Sequence, residues 1–242
     1  MHKTLTSREC IGTLNERSAS LFLALLLCGD LAFVALHLVN GLTPILEAPR
    51  LNLQRDRGYP EMFQYLKFFW VIIILIFASL KSASWLYTAW VPAFAYFLLD
   101  DSLQVHERVG EYIAASLGIA PTLGLRPRDY GELAVSAAAG IVLALPLVWA
   151  YSKGSRMFRR TSQDFALLVL IMVFFGVVVD MINVALGFNW TLRFVLGVIE
   201  EGGEMLAVSF IVWYAFLMMT RDHEYRYYLC DCARMVLTRR SS

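Results

Sequence analysis

Six apolar runs, each long enough to cross a hydrocarbon layer of about 30 Å as a helix, dominate this sequence. They run from about Ser20 to Asn40, Met62 to Leu80, Ser84 through Leu99 towards Glu107, Leu133 to Tyr151, Phe165 to Leu186, and Trp190 to Met219. In lipid every backbone polar group must be satisfied within the protein, so runs of this length read as helices rather than strands. The expected class is therefore all-α: a polytopic integral membrane bundle of about six transmembrane helices. Composition agrees, because only 17% of the 242 residues are charged, against about 25% in an ordinary soluble domain. The link from Lys81 to Ser84 is so short that the second and third helices should be antiparallel neighbours.

The basic residues predict an orientation. With six crossings, one side receives the N-terminus, the turn at 81–84, the loop at 152–163 and the C-terminal tail. These hold thirteen of the twenty-one Lys and Arg; seven fall on the other side and Lys67 lies within the second run. Loops rich in Lys and Arg stay cytoplasmic, so both termini are expected inside a bacterial-type inner membrane or its equivalent. The chain then divides into a cytoplasmic segment 1–19, a membrane domain 20–220 and a basic tail 221–242. In that tail Tyr225, Tyr227, Tyr228 and the arginines suit the headgroup layer rather than nucleic acid. A mixed-charge segment precedes the first run, and that run exceeds the 7–15 apolar residues, roughly, of a signal peptide, so no cleavage is expected. Cys10, Cys28, Cys230 and Cys232 show no metal-ligand spacing and predict no disulfide framework.

Ionisable residues inside the spans are the functional signal. Asp30 and His37 fall in the first, Asp100, Asp101, His106 and Glu107 late in the third, Asp180 and Asn183 in the fifth, and Glu200, Glu201 and Glu204 in the sixth. An Asp at a helix centre costs about 2.5–3.5 kcal/mol even on lenient insertion scales, so such acids mark sites. At about 1.5 Å rise per residue, these acids lie between the midplane and roughly 10 Å below the outer helix ends. Four helices thus bring carboxylates to overlapping depths in one leaflet. Helical phase adds that Asp100 and Glu107 share a face, as do Asp30 and His37, while Glu200 and Glu204 are i,i+4 neighbours with Arg193 on their side. The fourth span has no ionisable residue between Val135 and Trp149, which predicts a lipid-facing helix.

Carboxylates with one or two histidines suit a divalent transition metal such as Zn, Fe or Mn. The expected ligands are Asp101, His106, Asp180, Glu200, Glu204 and His37. Glu201 and Asp100 are the candidate catalytic acids and bases for metal-assisted hydrolysis of a lipid-like substrate from the outer leaflet. The string from Leu99 to His106 is similar to the Ser, His and Asp motifs of alkaline-ceramidase and adiponectin-receptor-like membrane hydrolases. Glu200 and Glu204 stand at the spacing of that family's paired histidines, so its activity is not carried over. Two other readings stay open. Asp30 and Glu204, the deepest acids, suit proton or cation translocation, and the acids also suit an oligomer or a partner subunit in a membrane complex. Gly202-Gly203 fits a broken helix, a close helix contact or backbone near a ligand.

Overall fold

A computed structural model describes residues 17–45, 48–81, 84–186 and 189–220. In chain order it contains α1 (Arg17–Leu42), a 3₁₀ turn (Pro49–Leu51), α2 (Tyr59–Lys81) and a 3₁₀ helix (Trp85–Trp90) that runs into α3 (Val91–Leu103). There follow α4 (Val105–Leu117), α5 (Pro127–Lys153), α6 (Arg156–Val173), a π-helical turn (Phe174–Val179), α7 (Asp180–Ala185) and α8 (Trp190–Thr220). Among the described residues there is no strand, only one isolated bridge between Thr122 and Leu125. Five stretches are long and apolar enough to cross a membrane: Ser18–Leu42, Tyr59–Lys81, Pro127–Lys153, Arg156–Ala185 and Trp190–Met219. Most of the N-terminal segment and the basic tail lie outside the described residues.

The third run departs from expectation. It was expected to continue as one helix towards Glu107, but α3 stops at Leu103 and Gln104 takes a left-handed conformation (φ 54°). Such a residue ends a helix, because the next N–H no longer points along the axis. The chain restarts as α4, which packs against α5 as a hairpin. Gly110 and Gly131 meet backbone to backbone there: a Cβ on Gly131 would lie 2.0 Å from the Gly110 carbonyl oxygen. The shared face inferred for Asp100 and Glu107 required an unbroken helix and is lost with it. The fifth run also begins earlier than its apolar pattern suggests. Ser155 caps α6, its hydroxyl accepting from the Phe158 N–H at 3.2 Å, so Asp164 falls inside the helix.

α8 is the central post. Val208, Ile211, Val212 and Ala215 are fully buried against Phe68, Val71 and Leu75 of α2 and against residues of α1 and α6. Below them, Trp90, Phe94, Phe165 and Tyr214 form an aromatic cluster with centroids 5.1–6.0 Å apart. α5 lies outermost: Ile141, Val142, Leu145 and Val148, within the stretch free of ionisable residues, are all more than 60% exposed. At one end of the bundle Lys81 Nζ donates to the Met219 carbonyl at 3.1 Å, closing the ends of α2 and α8. The acids gather at the other end.

Two polar groups interrupt the core. Lys67, fully buried in α2, donates to Asp30 Oδ1 at 2.9 Å, to the Met205 carbonyl at 2.8 Å and to Ser209 Oγ at 3.3 Å. Ser209 in turn donates to Asp30 Oδ2 at 2.5 Å. All three ammonium protons and both carboxylate oxygens are engaged, the condition under which a buried ion pair is tolerated. The second group lies outside the set of acids expected within the spans. Asp164 is fully buried and accepts from Tyr214 Oη at 2.6 Å, and Trp90 Nε1 donates to Ser162 Oγ at 3.2 Å nearby.

Removing one member of the Lys67 pair strands the other in hydrocarbon, at about 3–5 kcal/mol. Lys67→Met alone should lower thermal stability in detergent sharply, whereas Lys67→Met combined with Asp30→Leu should recover most of the loss. Equal melting temperatures for the single and double variants would show the pair to be dispensable.

Candidate functional site

The site grows from short segments that end together. At the start of α2, Glu61, Gln64 and Lys67 recur every third residue along one side of the helix, above the buried Phe68, Val71 and Leu75. Tyr65 steadies Glu61, donating its hydroxyl to Oε1 at 2.5 Å, and the Arg57 N–H also donates to that carboxylate. At the far end of α6 the π-helical turn widens the helix, shifting the phase of the residues after it. Asp180 and Asn183 of α7 then face the same space as Glu200, Glu201 and Glu204 of α8. Two glycines make this approach possible. A Cβ on Gly203 would fall 2.4 Å from the Phe175 ring, and one on Gly176 would fall 3.0 Å from the Glu204 carboxylate. α8 itself runs unbroken through Gly202-Gly203, so of the three readings of that pair, close helix contact is the one observed.

Between these elements lies a cavity of about 490 Å³. Its wall carries nine carboxylates: Asp101, Asp180, Glu61, Glu200, Glu201 and Glu204 from the membrane-length helices and α3, with Asp56, Glu107 and Glu132 nearer the rim. The cationic groups on the wall are Arg55, Arg126, Arg128 and His106. Two of these arginines are already engaged. Arg126 makes a 2.7 Å ion pair with Asp129, and Arg128 approaches Glu132 at 3.5 Å and Asp129 at 3.8 Å. Burial is greatest below, where the amide of Gln64 is 6% exposed and its Oε1 has no hydrogen-bond partner.

Of the candidate residues, Asp101, His106, Asp180, Glu200, Glu201 and Glu204 all line this one cavity. Asp100 does not. Its carboxylate accepts the His106 N–H at 2.8 Å through Oδ1 and contacts His106 Nδ1 at 2.9 Å through Oδ2, spanning the break at Gln104. It is therefore placed to position His106 rather than to meet a ligand. His37 also stands apart: its Nδ1 accepts the Leu53 N–H at 3.2 Å and its ring stacks on Phe194. It pins the 48–58 loop, whose Gln54, Arg55 and Asp56 line the cavity. Arg193, expected beside the acids, is exposed and does not line the cavity. Among the described residues no three His, Cys, Asp or Glu side chains converge on a point where one metal ion could be held. The acids are distributed over the wall, which differs from the compact ligand set expected for Zn, Fe or Mn.

His106 belongs to α4, outside the membrane-length helices. Its hydrogen bond to Asp100 and the charges of Asp100, Glu107 and Glu132 outweigh burial and raise its pKa to about 9. A pKa raised on folding stabilises the protein fully below the unfolded value of about 6.5, and the gain is lost as pH rises through about 9. Asp100→Asn should move the imidazole titration, read by NMR, back towards 6.5. It should also flatten the fall in melting temperature between pH 6.5 and 9; an unchanged titration would refute the pairing.

No curated protein and no solved structure matches this chain. A family model described as a domain of unknown function, DUF8692, matches residues 19–220, which takes in every cavity-lining residue. The chain belongs to the DUF8692 family.

Proposed function

We propose that this is a membrane protein of six crossings that binds a cation in its acidic cavity, from the outer side of an inner membrane. The observation that carries the reading is the imbalance on the cavity wall: nine carboxylates face three arginines and one histidine. Half-buried acids short of countercharge are costly, and a cation bound among them relieves that cost. The third crossing is assigned to the 3₁₀ helix and α3 together. Six residues at about 2.0 Å and thirteen at about 1.5 Å span roughly 31 Å, the thickness of the hydrocarbon layer. Six crossings place the cavity opposite the more basic loops, and the positive-inside rule makes that side the outer one.

Binding is favoured over metal-assisted hydrolysis because the carboxylates do not converge. It is favoured over translocation because the fully buried apolar layer of Phe68, Val71, Leu75, Val208, Ile211 and Val212 lies between the cavity and the Asp164–Tyr214 pair. Asp30, one of two acids expected to form a relay, is held by Lys67 and Ser209 and does not line the cavity.

Orientation can be tested with single cysteines in a cysteine-free background. Arg55→Cys and Arg128→Cys should react with a membrane-impermeant maleimide added outside intact cells, and Lys153→Cys only after permeabilisation. The reverse pattern would refute the assignment of sides. Binding can be tested by thermal shift in mild detergent. Cations as a class should stabilise the protein by about 2.7 kcal/mol at a hundredfold excess over Kd, with Glu201→Gln and Glu204→Gln abolishing the gain. Stabilisation by anions and not by cations would refute the reading.

A further inference from the structure

Resting on the cation-binding reading above, we infer that the ligand is a linear oligoamine, with two or more ammonium groups separated by methylenes, rather than a metal ion. The first ground is the direction of the hydrogen-bonding groups. The amides of Gln64 and Asn183 line the cavity together with Glu200, Glu201 and Glu204. Both amides have an unpartnered oxygen, Gln64 Oε1 and Asn183 Oδ1, and Gln64 is more than nine-tenths buried. A buried acceptor without a partner costs roughly 1–3 kcal/mol. Carboxylates and orphan amide oxygens together make a wall of acceptors, so the ligand that satisfies it must bring donors, and several of them.

The second ground is spacing. A transition metal takes four ligands or so at about 2.0–2.3 Å, and calcium six to eight oxygens at about 2.3–2.6 Å. Here Glu61, Asp101, Asp180, Glu200, Glu201 and Glu204 come from four different elements, and no three of them meet at a point. Spread acceptors match spread charge: each ammonium carries three donors and engages one or two acids, while the methylenes between them set the separation. The third ground is size. About 490 Å³ lies within the range of small-molecule sites, roughly 300–1,000 Å³, and far exceeds what one dehydrated metal ion fills. The rim adds selectivity for charge: Arg126 and Arg128 are shared with Asp129 and Glu132, so the cavity's cationic groups fall short of its nine carboxylates.

The test uses full-length protein in mild detergent, freed of metal by chelator and dialysis, with calorimetric titration of spermidine, n-butylammonium, Zn²⁺ and Mn²⁺. Spermidine should bind at least tenfold more tightly than n-butylammonium, with affinity falling as salt rises. Glu201→Gln and Glu204→Gln should each weaken spermidine at least tenfold, and Gln64→Leu severalfold. Glu111→Gln, which removes an exposed acid outside the cavity, should leave affinity unchanged. Circular dichroism and gel filtration establish that each variant is folded before it is titrated. Saturable Zn²⁺ or Mn²⁺ binding lost in Glu201→Gln, with no heat from spermidine, would overturn the oligoamine and leave the cation reading standing. Silence from all four probes would overturn both, and equal weakening by Glu111→Gln would overturn the cavity as the place of binding.

Discussion

Lys67 holds the centre of the bundle. Its ammonium group joins α2 to α1 through Asp30 and to α8 through the Met205 carbonyl and Ser209, all within 3.3 Å. Apolar packing against lipid gives helices little reason to choose one partner or depth over another, because the lipid tails are as apolar as the side chains. A fully satisfied ion pair is different: it exists only when three helices stand at one depth and one rotation. The acids above it inherit that setting. Glu204 lies one residue before Met205, and Gln64 lies one helical turn above Lys67. The interaction that fixes the helices thereby fixes the lower part of the cavity.

Much of this was legible in sequence because insertion energetics are harsh. The membrane-length helices follow from apolar length, and the depth of the acids from a constant rise per residue. Six of the eight candidate site residues duly fall on one wall. What sequence could not convey came from backbone choices that no periodicity encodes. The left-handed Gln104 breaks the third run, detaches Glu107 from the phase of Asp100 and turns His106 back onto the Asp100 carboxylate. The π-helical turn rotates Asp180 and Asn183 relative to a regular helix. Glu61 and Gln64 step towards Lys67 in threes, but at the very edge of an apolar run polar residues carry little signal of burial. Asp164 was lost the same way: the helix starts at its Ser155 cap, well before its hydrophobic stretch does.

The metal expectation illustrates a further limit. Carboxylates and histidine at overlapping depths are necessary for a ligand set, but convergence within a few ångströms depends on side-chain direction and helix rotation. His37 has the right depth and chemistry and is nonetheless committed to Leu53 and Phe194. Asp100 has the right position in the chain and is committed to His106. Depth sorts residues into a layer, and only packing sorts them around a point.

The paired contacts between the α6–π segment and α8 carry a mechanical consequence. Phe175 sits against Gly203 and the Glu204 carboxylate sits against Gly176, so each helix offers the slot that receives the other's key. Turning α8 about its axis would withdraw both keys at once, and sliding it would jam both against backbone. The face bearing Glu200, Glu201 and Glu204 is thus indexed like a keyed shaft.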